Sequence, residues 1–481
     1  MSVGLVGGDG TVRMMVNLIL HRVETGLCID VEELDPYENA FAFHQRVRQA
    51  IDRLQQCETA EAMFQRVSEE FFLMSGYDRV MMYKFHEDYH GEVMTEFCTK
   101  NITDDTWLGL HYPATDIPQR SRDQFKASSV RIIVNCQAPD SPIIMADGEA
   151  GNSVPMTMSS LRPAHSCHKE YLVNMGVTAS IATAIIVKDQ LWGLMIGHHM
   201  KPKFVSFQMR MACEFLVQAF SMALTNLLDS SAHARHERSL QLHSKLCDLM
   251  YQQGQNPGLR VRGLVTGNPS IMDLIPGVTG AAAFFSSTIS TIGDCPPLED
   301  LTTMVALITE QWNNSSAGRQ HIKIECLEDI DVNFASFSTK CAGALCVPIG
   351  DEGMLIWFRP EVSTTIRWGG NIETAAVQKH GVMHPRASFE VYSDSVKGRS
   401  TPWLKWELDA ADGLGHLAKD ILRVSDDDNE ASGILNRLKN HEVTFLIFLP
   451  SFFFTFLIFL VAFSSRASPR LLTHLRIAPP L

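Results

Sequence analysis

From Phe204 to Gln253 apolar residues keep a long helical pattern: Phe207, Met211, Phe215, Val217, Phe220, Leu224 and Leu227, then Leu240, Leu246 and Met250. A helical period held that long exceeds an ordinary globular helix, and it predicts a rod that links two domains. Two shorter helices meeting near Ser230-Ser231 is the other reading. A chain of 481 residues has room for two to four domains with a sizeable core. Its composition, 45% hydrophobic and 20% charged, is that of a globular protein, and a net charge of −13 argues against a nucleic-acid footprint. The eleven cysteines include no CxxC pair and no signal peptide opens the chain, so free thiols in a reducing compartment are expected.

On either side of the rod the patterns are mixed. Residues 1–36 hold a Gly-rich start and apolar runs at Met14–Leu20 and Gly26–Val31, too little for a domain. Ala40 to Leu73 reads as two helices. Val80–Phe85, Gly91–Phe97, Val130–Val134, Ser180–Val187 and Leu191–His198 read as strands, with Lys188-Asp189 as the tight turn between the last two. Beyond the rod, Leu264–Phe284 and Ala342–Arg359 read as strands of a second α+β domain. Residues 366–405 lack a continuous apolar period, although they carry Trp368 and Trp403. Asp426–Glu430 is an acidic run, read as a solvated face. Val443–Phe463 is 21 residues without a charge, flanked by Arg437 and Lys439 and by Arg466 and Arg470. A membrane span and a non-native tail explain that run equally well.

The chemistry concentrates at Ser160–Val177, where Cys167 stands beside His168. A thiol next to an imidazolium is the pattern of an activated sulfur, although a lone Cys is more often an inert core residue. Upstream, Asp116-Ile117-Pro118 puts a carboxylate and a backbone carbonyl on an irregular loop, because Pro118 biases Ile117 to an extended form. Asp-x-Pro is also a common surface turn. No P-loop, ATP lid or phosphoacceptor histidine segment precedes residue 443, and neither catalytic nor metal-ligating residues are singled out.

Four ordered segments resemble the phytochromes: Tyr112–Pro118, Ser160–Val177, Leu191–His199, and the pair Arg367–Gly370 with Pro385–Glu390. The resemblance covers roughly residues 15 to 425. It implies an α+β architecture in which a GAF and a PHY domain, each with an antiparallel sheet flanked by helices, are joined by a long helix. Its parts would be a remnant of a PAS domain (1–36), the GAF domain (40–228), the PHY domain (229–425) with a tongue at about 366–405, and a tail (426–481). It further implies a red/far-red photoreceptor whose linear tetrapyrrole is attached as a thioether at Cys167. His168, Asp116, Ile117, Tyr83, Tyr112, Tyr171 and Ser180 would line the pigment, Arg131 and Arg162 would meet its propionates, and His198 would bond its ring D carbonyl. On the tongue, Arg386 would pair with Asp116 in darkness, and Ser388 would take its place after light.

His165-Ser166 is closer to the plant pattern than to the bacterial Ser-Pro. Phe125 stands where Tyr is frequent, and Ala182 where a hydroxyl residue is frequent. No Cys precedes Cys28, so a phycocyanobilin or phytochromobilin type of bilin is expected over biliverdin. The expected assembly is a homodimer through the long helix, without nucleic acid. The expected location is the cytoplasm, with nuclear entry on signalling, or a membrane anchor if 443–463 is genuine. Two other readings are a GAF-type sensor of haem or a cyclic nucleotide, and a thiol-dependent enzyme using Cys167 and His168.

Overall fold

A computed structural model describes residues 2–6, 12–23, 26–34, 40–99, 106–144, 156–313, 321–350, 352–370, 377–379, 382–386 and 388–423. The acidic run, the charge-free run 443–463 and its flanks lie outside them. Residues up to Lys419 form one compact unit, and of the second, Asp420–Leu481, only the first four residues are described.

At the front, β1 (Ser2–Val6), β2 (Val12–Val23) and β3 (Gly26–Glu33) make an antiparallel sheet in that order. The run Met14–Leu20 is thus the first part of the strand that ends in His21–Val23. On β3 the usual alternation is inverted: Leu27, Ile29 and Val31 are exposed, whereas Asp30 and Glu32 are buried. Partners on the next domain explain it. Asp30 accepts from Ser159 Oγ (2.6 Å) and Ser160 N (3.1 Å), and Glu32 takes both ends of the buried Arg210 guanidinium.

The pocket domain follows with α1 (Ala40–Leu54), α2 (Ala60–Ser75), β4 (Arg79–Phe85), β5 (Gly91–Cys98), β6 (Leu110–Tyr112), α3 (Gln119–Ala127), β7 (Val130–Ile133), α4 (Ser166–Asn174), β8 (Ala179–Val187) and β9 (Gln190–His199). Thr59 caps α2 by accepting from Ala62 N (3.2 Å). Strand β4 is buried at nearly every position because both its faces are covered. Val80 and Met82 pack with Phe64, Val67 and Phe71 under the helices, while Met81 and Tyr83 join Tyr112, Leu110 and Leu194 on the opposite face.

The rod is one helix, α5 (Phe207–Gln252), capped by Ser206, and no break occurs at Ser230-Ser231. Its 46 residues span roughly 70 Å at 1.5 Å per residue. Leu216, Val217, Phe220 and Leu224 sit in the pocket-domain core; at the other end Leu246, Cys247 and Met250 are buried. Among the described residues α5 is the one helix long and apolar enough to cross a bilayer, and its packing on α1, α2 and β8 accounts for that apolarity.

The second domain contains α6 (Pro257–Thr266), β10 (Gly280–Phe285), β11 (Thr288–Gly293), α7 (Leu298–Asn313), β12 (Ile322–Ile324), β13 (Gly343–Pro348) and β14 (Gly353–Arg359), with strands in the order β11-β10-β14-β13-β12. The expected strand Leu264–Phe284 is therefore corrected. Its front is the end of α6, started by the Asn256 cap with Pro257 in its first turn, and only residues 280–285 are strand. The tongue runs through β15 (Thr364–Gly369), β16 (Val377–Lys379), β17 (Val382–His384) and β18 (Val391–Val396), and α8 (Lys405–Arg423) closes the described chain.

Strands β15 and β18 pair antiparallel, and β15 lies parallel to β6, with Arg367 opposite Leu110 and Trp368 opposite His111. The pocket sheet thereby becomes eight-stranded, in the order β18-β15-β6-β5-β4-β9-β8-β7. At Gly370, φ is +116° and an added Cβ would lie 2.7 Å from the Ser388 carbonyl oxygen, so glycine suits this position of the tongue.

Removing Glu32 leaves Arg210 buried without its counter-charge. Glu32→Ala is expected to destabilise the chain by about 3–5 kcal/mol, read from the urea unfolding midpoint. A loss under about 1 kcal/mol contradicts the buried pair.

Candidate functional site

The sheet face opposite the helices carries Tyr83 on β4, Tyr112 on β6, Ser180 on β8 and His198 on β9. The rings of Tyr83 and Tyr112 lie 6.2 Å apart, and Ser180 faces His198 across the β8–β9 ladder. His198 packs edge-on against Trp107 at 5.7 Å. Strand alternation sends His199 the other way, to Asp78 (2.8 Å).

Above this floor, Pro113 enters a 3-10 turn at Ala114–Asp116. The Ile117 carbonyl that follows accepts from Arg122 Nη1 on α3 (2.5 Å). The Asp116 carboxylate accepts from Tyr171 Oη (2.9 Å) and from Arg386 Nη2 on the tongue (2.6 Å). The Arg386 and Asp116 side chains are only 3% and 11% exposed. Burial raises the Asp116 carboxyl, while Arg386 and Tyr171 oppose that rise. Arg386 also lies 5.5 Å from the Tyr112 ring and 4.8 Å from Phe389, and its carbonyl accepts from Asn174 Nδ2 (3.2 Å). Ser388 is exposed, and its Oγ accepts from Glu390 N (3.3 Å).

Helix α4 brings Cys167, His168 and Tyr171 to the same region, with His165 as its cap: Cys167 N donates to His165 Nδ1 (3.2 Å). Tyr171 meets Phe389 of the tongue edge-on at 5.0 Å. His168 stacks with Tyr171 at 6.1 Å. It sits deep among protein atoms although its side chain stays open to water, as a residue lining an internal cleft does.

The expected imidazolium beside the thiol does not form. Burial, then Arg131 and His165, pushes His168 down to about 4, so the ring is neutral near pH 7. Burial, then Glu170 and Asp116, pushes the Cys167 thiol up instead of down. Neighbours i and i+1 on a helix do not face each other, which is why adjacency in sequence fails to couple them.

Two guanidiniums border the cleft. Arg131 Nη2 donates to the carbonyls of Arg162 (2.9 Å) and Pro163 (3.0 Å), and Arg162 Nη1 donates to Thr157 and Ser159 (3.2 Å to the latter). Burial disfavours both charges, and Arg162 adds to the effect on Arg131. Among the described residues neither has a carboxylate partner, and Arg131 Nη1 and His198 Nδ1 are buried without a hydrogen bond. A group bearing carboxylates and carbonyls fits those orphaned atoms.

Trp107, Arg122, Asn174 and Phe389 also belong to this arrangement, and the sequence reading did not assign them. Asn174 lies inside the segment Ser160–Val177 and Phe389 inside Pro385–Glu390; Trp107 and Arg122 carry no periodic or motif signal.

Burial, then Arg79 and His168, lowers His198 to about 3. In the unfolded chain it takes a proton near pH 6.5, so the unfolded state binds the extra proton first, and stability falls as pH drops from about 6.5 toward 3. His198→Gln should make the acid limb of stability against pH shallower by up to one proton. An unchanged slope contradicts a neutral buried imidazole.

Known proteins resemble the chain as follows. Residues 59–227 match the GAF domain family and residues 239–427 the phytochrome region. The chain is 34% identical over 410 residues to phytochrome E of Arabidopsis thaliana, an overlap covering 82% of the chain and 36% of that protein. It is 33% identical over 450 residues to phytochrome 2 of Ceratodon purpureus, covering 88% and 39%. The chain thus spans little more than a third of the length of such relatives. Among solved structures, the bacteriophytochrome RpBphP3 from R. palustris superposes with a TM-score of 0.71 at 28% identity, covering 88% of this chain and 83% of that one. The photosensory core module of the Stigmatella aurantiaca phytochrome gives 0.67 at 27% identity, covering 86% and 81%.

Proposed function

Because this chain belongs to the phytochrome family, as a photosensory core of GAF and PHY domains, we propose that it is a red/far-red photoreceptor holding a linear tetrapyrrole through Cys167. The observation that carries the reading is the buried Asp116–Arg386 pair, which ties the floor of the cleft to the tongue. When bound, the pigment supplies visible-light absorption and a light-driven Z-to-E isomerisation. The chain's residues do the rest. Cys167 offers the thiol for the thioether bond. Arg131 and Arg162 offer unneutralised positive charge to propionates, and His198 offers Nδ1 to a carbonyl. Tyr83, Tyr112 and Tyr171 exclude water from the same space, and neutral His168 is placed to hold or release a proton.

Asp116 has three calls on it: its own desolvation, Tyr171 and Arg386. A buried pair of this kind persists only while both partners stay in place, so displacing either favours release of the tongue. Ser388, exposed two residues further along the tongue, would take over from Arg386. Among bilins, an anchor at Cys167 favours the phycocyanobilin or phytochromobilin type over biliverdin.

Along α5, Met211, Phe215 and Met222 are exposed on one face, which supports a homodimer through that helix. Its eleven free cysteines suit a cytoplasmic protein, with nuclear entry on signalling as part of the same reading. The thiol-enzyme reading loses its activated sulfur, and no observation favours the haem or cyclic-nucleotide reading.

Co-production with a phytobilin tests the proposal. The expected result is a coloured protein that converts reversibly under red and far-red light and gives zinc-induced fluorescence on a denaturing gel. Cys167→Ala should lose that fluorescence, and Asp116→Ala should lose photoconversion while keeping the covalent pigment. A colourless wild type sinks the photoreceptor reading; full photoconversion in Asp116→Ala sinks the latch alone.

A further inference from the structure

Three imidazoles that the cleft does not use meet where the tongue docks. His86 follows β4, His90 closes the turn into β5, and His111 lies on β6 opposite Glu92. The turn is tight: Tyr89 N donates to the His86 carbonyl (2.9 Å), His86 N donates to the His90 carbonyl (2.9 Å), and Tyr89 has φ +66°. One ring nitrogen from each histidine lies within 4.8 Å of the others.

Two of the rings are oriented from behind by carboxylates. His86 Nε2 bonds Glu92 Oε2 at 3.0 Å, and His90 Nδ1 bonds Asp88 Oδ1 at 2.5 Å. A ring nitrogen held by a carboxylate carries the proton, so the opposite nitrogen keeps its lone pair. This is the backing found behind metal-binding histidines. With its Nδ1 proton on Asp88, His90 Nε2 accepts a hydrogen bond from His111 Nδ1 at 3.1 Å, and a bound ion would take the place of that shared proton. Zinc–nitrogen bonds of about 2.0–2.1 Å at tetrahedral angles put neighbouring ligand atoms roughly 3.3 Å apart, close to that separation.

We propose that His86, His90 and His111 form a site for a divalent transition metal of the zinc class, and that its occupancy favours the docked tongue. Three imidazoles suit zinc, copper or nickel over magnesium or calcium. The link to the tongue is geometric. The Trp368 ring lies 5.5 Å from His90 and 5.7 Å from His111, and Trp368 pairs with His111 where β15 joins β6. An ion that fixes the imidazoles fixes the surface on which Trp368 packs. The site stands whether or not the chain binds a bilin, so its failure and that of the photoreceptor reading are separate results.

The test uses the full chain, purified with and without bilin, stripped of metal and titrated with zinc. One zinc per chain is expected, with X-ray absorption showing nitrogen or oxygen neighbours at about 2.0–2.1 Å and not the thiolate distance of about 2.3 Å. His90→Ala and His111→Ala should each lose affinity at least tenfold. Glu92→Gln, which leaves all three rings in place, should lose about tenfold or more. Zinc should slow amide exchange at residues 364–369 in the wild type and not in His90→Ala. Sulfur ligation, or equal affinity in His90→Ala and His111→Ala, overturns the site; unchanged exchange at 364–369 with zinc bound overturns the tongue coupling.

Discussion

The ion pair of Asp116 with Arg386 joins residues 270 apart in sequence and sits where three pieces of the fold meet: the 3-10 turn, α4 through Tyr171, and the tongue. Both charges are almost fully removed from water, and neither is tolerable there alone. Arg386 Nε and Nη1 are buried without partners, so the guanidinium is only partly satisfied. A contact in which burial works against the charges that the pairing holds together is firm as a pair and sensitive to displacement of either partner, which is the property a two-state element needs.

Around that contact the sheet separates two tasks. One face is covered by α1, α2 and α5 and is mainly apolar, with Ser68, Thr95 and Thr183 as its buried hydroxyls, so it sets the stability of the pocket domain. The other mixes tyrosines, histidines and arginines around a cleft, where polar atoms are left unpaired. The same β4 serves both, because successive side chains point to opposite faces. The long helix belongs to the first face up to Leu227, is largely exposed over residues 228–242, and is buried again at Leu246, Cys247 and Met250 in the second domain.

Charge balance follows the same logic. Arg210 and Arg359 are buried with carboxylates, Glu32 and Glu407, and serve as structural pairs. Arg131 and Arg162 have carbonyls only and keep an uncompensated charge beside the cleft. The difference lies in the partner supplied by tertiary structure and is invisible in the residue type.

Much of the architecture follows from periodicity: the rod, the two helices before it, most pocket strands and the Lys188-Asp189 turn are local patterns that burial reinforces. Where context competes with pattern, the sequence misleads. The buried acids of β3 depend on Ser159, Ser160 and Arg210 far along the chain. The Leu264 region is helical because Asn256 and Pro257 start a helix before it. Cys167 and His168, neighbours in the chain, are turned apart by the helix that carries them. The residue types at the site, Cys167, Asp116, Arg386 and the tyrosines, were determined by the sequence itself. Which of them touch, which charges are neutralised, and the gathering of His86, His90 and His111 under Trp368 were decided only by the tertiary structure, since pairing across a sheet edge joins residues that no local spacing relates.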